Sequence, residues 1–181
     1  MFLKTKKTNK NAWSSLFLVF SPCKFCDGNC CISFVITVTS FDVKRISKAT
    51  GLRAEEFAEL RLLDLLSFDD DQVIETKNGK YKEYYVLALK SHPCYFFDSK
   101  KGCKIHDSKP LACRIYPHDE RGDFGRRAFC QFLPSLFFRL SRPSKKLLAK
   151  YEKEKKAYAA LVKKCNKKNM TRDAAFAFLT R

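Results

Sequence analysis

The chain has 181 residues, 45% apolar and 14% aromatic, with 36 basic and 19 acidic side chains for a formal net charge of +17. That length suits one domain with tails, and that apolar fraction excludes wholesale disorder. No apolar run approaches the roughly 18 residues that a membrane helix requires; the N-terminal candidate, residues 16–20, stops at Ser21-Pro22.

The charge is uneven. Residues 1–10 hold four lysines and no acid, residues 139–181 hold 14 basic and 3 acidic side chains, and the stretch between them carries only +2. A basic segment attracts polyanions such as RNA, the ribosome or an anionic membrane, and equally serves as a solvated lysine face. No nucleic-acid motif accompanies it, and the aromatics of 129–138 do not alternate with basic residues as a base-stacking strip does.

Residues 1–12 read as a basic leader. Residues 13–20 read as a core strand rather than a secretory signal: the apolar stretch is short, no A-x-A-like site follows, and Cys23 lacks a small-residue lead-in. That reading places the protein in the cytoplasm. Residues 21–31 form a cysteine-rich loop turning at Asp27-Gly28-Asn29, and the β-branched run 34–38 predicts a strand. Thr39-Ser40-Phe41-Asp42 is a capping-box sequence, so a helix follows with Val43, Ile46 and Ala49 on one face and Gly51 at its end. The leucine-rich stretch 54–66 predicts a second, largely buried helix.

Two β-prone runs, 73–76 and 81–89, flank Lys77-Asn78-Gly79-Lys80, which predicts a hairpin with Tyr85, Leu87 and Leu89 on one strand face. Residues 92–130 are loop-rich, with a short helix over 108–114. Pro134 and Pro143 bracket the apolar patch Leu136-Phe137-Phe138. Leu147, Leu148, Tyr151, Tyr158, Leu161, Val162 and Cys165 recur at helical spacing and predict an amphipathic helix over 144–166, and Thr171 caps a last helix through Leu179. The fold class is α+β: a small Cys-rich, metal-centred domain over 13–138 with a short hairpin and two helices after the first cysteine motif, then a basic helical extension over 139–181.

Nine positions are cysteine. The first four read Cys23-x-x-Cys26-x-x-x-Cys30-Cys31; Cys94, Cys103, Cys113 and Cys130 are scattered, and Cys165 stands apart. An odd count, an adequate core and the absence of a convincing signal peptide argue against a disulfide scaffold. Cys165 continues an apolar helix stripe and reads as a buried thiol. Four cysteines within nine residues of a polar loop are poor core material and read as metal ligands, since C-x-x-C lets two thiolates reach one metal from a tight turn. Neighbouring side chains diverge, so Cys31 serves a second centre or pairs with the distant group. The second half lacks the repeated C-x-x-C of a zinc ribbon. Spacing alone leaves zinc and iron–sulfur both open. His92, His106 and His118 lie near the second group and read as structural more than as ligands.

The whole pattern, with Cys94-x(8)-Cys103-Lys-Ile-His106-Asp-x-Lys-Pro110-Leu-Ala-Cys113-Arg114-Ile-Tyr116-Pro117, resembles the YkgJ-type or CxxCxxCC cysteine-cluster family, a zinc- or iron-chelating domain. The resemblance spans about 21–131 and is most specific over 110–117. It implies that Cys23, Cys26, Cys30, Cys31, Cys94, Cys103, Cys113 and Cys130 are the metal ligands and does not settle zinc against an iron–sulfur cluster as the cofactor; of the two, our reading favours the cluster. Lys109 stands where the family usually has Arg. A flagellin lysine N-methylase is similar to this family, which implies an alternative, an iron–sulfur-dependent protein lysine N-methylase-like enzyme using S-adenosylmethionine. Against it, the chain has no Gly-rich nucleotide loop and its cysteine loop reverses the C-x3-C-x2-C order of radical enzymes. On that reading Arg114, Tyr116, His106 and Asp107 line a site; on the plainer one Arg114 donates to cluster thiolates and Tyr116 packs. A third alternative is an RNA- or ribosome-associated module acting through the basic tail.

Overall fold

The computed structural model describes residues 28–63, 70–123 and 142–181. The leader, the strand expected over 13–20, the 136–138 patch, and Cys23, Cys26 and Cys130 lie outside the described residues. The elements are helix α1 (Asn29–Ser33), α2 (Ser40–Thr50), α3 (Ala54–Phe57), strand β1 (Ala58–Leu62), a 3-10 turn (Asp70–Gln72), β2 (Ile74–Asn78), β3 (Tyr81–Leu89), β4 (Phe97–Asp98), β5 (Gly102–Cys103), and helices α4 (Leu111–Ile115), α5 (Lys145–Lys167) and α6 (Arg172–Thr180). This is the α+β class expected. No helix among the described residues is long and apolar enough to cross a membrane.

The capping box forms as its spacing predicts. The Thr39 hydroxyl accepts the Asp42 backbone N–H at 3.3 Å, while the Asp42 carboxylate accepts the Thr39 N–H at 3.0 Å. Gly51 ends α2 at φ 74°, a conformation that favours glycine, with its N–H on the Ser47 carbonyl. Val43 and Ile46 are buried as expected, whereas Ala49 faces solvent.

The stretch 54–66 is not one long helix. A single turn, α3, gives way at Ala58 to strand β1. Its leucines satisfy both a helical and an alternating pattern, so propensity does not decide between them. The free side of β3 does: β1 pairs with it antiparallel from Ala58↔Leu89 to Leu62↔Tyr85. Ala58 and Leu60 then point into the core from one strand face, while Leu62, next on that face at the end of the strand, is 63% exposed.

Strand β2 lies on the other side of β3, giving the order β1-β3-β2. The hairpin turns one residue later than Asn-Gly suggests. Asn78 still pairs with Tyr81, and Gly79 takes the first turn position at φ 61°. β2 pairs with residues 81–85 of β3 only. Beyond it, the run expected as a strand over 34–38 contributes just a bridge, Thr37↔Ala88, with Val38 N–H on the Leu87 carbonyl and Leu89 N–H on the Ile36 carbonyl. The C-terminal half of β3 therefore has partners on both sides, and residues 85–89 are all buried.

The C-terminal helices share this core. Tyr158, Val162 and Cys165 of α5, with Ala175 and Leu179 of α6, pack into one apolar cluster with Val43, Ile46, Phe57, Ile74 and Leu87. They also seal the sheet edges. The Asn166 side chain accepts the Glu75 N–H and donates to the Val73 carbonyl, the Met170 carbonyl accepts the Lys77 N–H, and Arg172 donates to the Leu60 carbonyl. Edge-strand backbone that would otherwise be open is thereby satisfied.

Asp42 does more than cap α2. Its buried carboxylate also accepts the Leu111 N–H of α4 at 2.9 Å and the Arg45 guanidinium at 2.6 Å, and Arg45 reaches Glu154 of α5 at 2.6 Å. Asp42→Ala leaves the Thr39 and Leu111 N–H groups without their acceptor and removes one of the two carboxylate partners of Arg45, which keeps Glu154. A loss of about 1–3 kcal/mol in urea unfolding is expected, because backbone N–H donors are left unsatisfied and the α2 cap is removed. Asp42→Asn keeps one acceptor oxygen and loses less.

Candidate metal centre

Five of the eight candidate ligand cysteines are described, and they arrive from four separate places. Cys30 and Cys31 sit on α1, Cys94 in the loop after β3, Cys103 on β5, and Cys113 on α4. All five line one cavity of roughly 320 Å³ at the C-terminal end of β3, walled by Phe34, Ile36, Leu89, Phe96 and Ile105.

Local structure explains the convergence. α1 begins after Gly28, held at φ 82° with its Cα close against the Phe97 ring; an added Cβ would lie 2.1 Å from a ring carbon. The Cys94 N–H donates to the Cys31 carbonyl at 2.9 Å, which fixes the loop after β3 onto α1. The ribbon β4–β5 opposes Phe97 to Cys103. Phe96 stacks against the core residue Phe57 at 5.5 Å between ring centres, anchoring that ribbon. α4 starts at Pro110 and is capped by Asp42 from 69 residues away, which sets the direction in which Cys113 points.

No carboxylate and no histidine is among the described residues that line the cavity. His118 is buried, with Nδ1 3.2 Å from the Ile115 carbonyl, and His106 Nδ1 lies 3.4 Å from Asp107. Both fit the structural reading. Among the described residues Arg114 donates to the Lys109 and Asp107 carbonyls and to no thiol, and so braces the loop before α4. Tyr116 lines the cavity and packs edge-on to Phe34 at 6.2 Å. Lys109 is the one cation among the described residues lining the cavity, a feature that cysteine spacing alone does not reveal.

Among the described residues, no three His, Cys, Asp or Glu side chains close around a single point at metal-holding distance. The donor set itself fits a thiophilic metal: thiols, no hard oxygen ligand, and apolar walls. It is also primed unevenly for deprotonation. A hydrogen bond from Cys31 holds the Cys30 thiol down at about 7, against burial, with help from backbone N–H groups and Lys109. The same bond pushes Cys31 far up. Burial raises Cys94, and raises Cys113 most of all, with the neighbouring thiols adding to it. Cys165 is fully buried away from this group, 3.8 Å from the Met170 sulfur, as a core thiol.

Thiolate is the reactive form, so this asymmetry is measurable in metal-free protein. Iodoacetamide labelling at pH 7, read by peptide mapping, is expected to modify Cys30 well before Cys31, Cys94 or Cys113. The Cys30 rate should rise through a midpoint near pH 7 and then level off, while the other three stay slow to above pH 9.

No curated protein and no solved structure matches the chain. A family model does: "CxxCxxCC: Putative zinc- or iron-chelating domain" covers residues 22–131, more than half of the sequence and all eight candidate ligands. The convergence of five of those cysteines on one cavity agrees with that description, and the chain belongs to the CxxCxxCC family of cysteine-cluster domains.

Proposed function

We propose that the cavity is the seat of an iron–sulfur centre held by thiolates of Cys30, Cys94, Cys103 and Cys113, with Cys23, Cys26, Cys31 and Cys130 completing the ligand set. One observation carries this reading. Five described thiols surround a single cavity of roughly 320 Å³, yet among the described residues no three meet at one point. A mononuclear zinc site needs four donors at about 2.3 Å, which puts the sulfurs within about 4 Å of one another. A cluster spreads its cysteine ligands over several metal atoms and suits a wider ring of thiols. An apolar wall and a lone lysine also suit a centre that carries net negative charge.

In this reading the centre organises the fold. Residues 92–118 contain only a two-residue ribbon and one short helix. Thiolate ligation would tie that loop-rich stretch to α1, so metal binding contributes directly to folding.

The test is anaerobic purification of untagged protein followed by iron, zinc and acid-labile sulfide analysis with an absorption spectrum. Iron with sulfide and a broad band near about 400 nm is the expected result. A colourless protein with stoichiometric zinc would overturn the cluster and leave thiolate chelation standing. Cys113→Ser is expected to lose most of the bound metal and to lower the thermal midpoint, whereas Cys165→Ser keeps the metal content of the parent.

A further inference from the structure

Helix α5 carries a second chemistry, remote in kind from the cysteines. Over its 23 residues, twelve side chains are exposed: eight lysines, three alanines and Glu152. Its buried arc holds Tyr158, Ala159, Val162 and Cys165, so the lysines occupy the opposite arc, along a rod about 35 Å long. Three of the eight are engaged: Lys150 with Glu154, Lys156 with Glu152, and Lys163 with Asp71. The other five, Lys145, Lys146, Lys153, Lys164 and Lys167, make no ion pair among the described residues.

A lysine face kept only for solubility is ordinarily interspersed with acids, and a helix gains from i,i+4 pairing. α5 leaves most of this charge uncompensated and exposes no apolar side chain larger than alanine between the lysines. The absence of an exposed aromatic or large aliphatic side chain on this arc removes the anchor that an interfacial membrane helix sinks into lipid. It also removes base stacking. What remains is a convex rod of cations, matched to regularly spaced phosphates.

We propose that the exposed face of α5 binds the phosphodiester backbone of a nucleic acid, without reading its sequence. The contacts are lysine to phosphate, so binding should release counterions and fall steeply with salt. This surface is independent of the metal reading: no lysine of α5 lines the cysteine cavity.

The experiment uses the full-length, metal-loaded protein and fluorescence anisotropy with 30-base-pair duplex DNA and duplex RNA of unrelated sequences in 50–200 mM KCl. Five phosphate contacts to duplex DNA give a log–log salt slope near about −4.5, hence an affinity loss of about 500-fold over that range. The variant Lys146→Gln/Lys153→Gln/Lys164→Gln/Lys167→Gln should lower that loss to under about tenfold. Its thermal midpoint and metal content should match the parent, which separates lost binding from lost folding. Equal binding to unrelated sequences supports the proposal, and the DNA and RNA arms tell which polymer is held more tightly. The proposal is overturned if neither duplex binds, if the quadruple variant binds as the parent does, if only Lys4, Lys6, Lys7 and Lys10 prove necessary, or if vesicles containing phosphatidylserine capture the protein while nucleic acid does not.

Discussion

A carboxylate with almost no access to water must have its oxygens occupied, and at Asp42 the way they are occupied sets the arrangement of three helices. One oxygen takes the Thr39 N–H and hydroxyl; the other takes Arg45 and the Leu111 N–H. The first pair starts α2, and the second fixes α4 against it. Arg45 then spans to Glu154, so α5 is tied to the same point. Such a fully satisfied polar hub adds orientation more than net free energy, because burying the charges offsets much of their attraction. That orientation matters here, since α4 carries Cys113 to the cavity.

The cysteines illustrate a related economy of structure. α1, the ribbon β4–β5 and α4 are each too short to be stable alone. Each is held by one or two specific contacts: Cys94 to the Cys31 carbonyl, Phe96 against Phe57, and Leu111 to Asp42. The cavity is therefore assembled from weak local elements pinned to a strong core of β3, α2 and α5. The described thiols so placed do not close on a single point, and Cys31, Cys94 and Cys113 are all pushed above the ordinary thiol range while Cys30 is pulled below it.

Much of this was legible in the sequence, for identifiable reasons. The capping box, the Gly51 terminus, the hairpin and the amphipathic α5 rest on local rules, and each formed. The stretch 54–66 failed because its leucines fit two periodicities, and a distant partner, β3, made the choice. The Asp42–Leu111 bond spans 69 residues and leaves no local trace. Neither do Asn166 and Arg172, single polar residues whose role in closing the sheet edges depends wholly on packing. Cysteine spacing marked the ligand candidates; that Cys94, Cys103 and Cys113 face the same cavity as Cys30 and Cys31 emerges only from the fold. The same holds for Lys109, and for Arg114, whose donors go to carbonyls rather than thiols.

The charge distribution gains meaning once α5 is seen in place. In sequence, residues 139–181 look like an appended basic segment. In the fold, the buried arc of α5 completes the core, and Asn166 just before its end closes an edge of the sheet. The lysine arc is then the outer side of a structural helix, fixed in direction by the packing beneath it. A continuous line of bonds, Glu154 to Arg45 to Asp42 to Leu111, joins that helix to the one bearing Cys113. This line is not evidence of signalling between the two surfaces, because it shows one arrangement and not two. The cationic face and the thiol cavity are thus carried by elements bonded to one another and packed against one core. On the proposed ligation, a centre that steadies α4 would therefore also steady the platform on which the lysines are displayed.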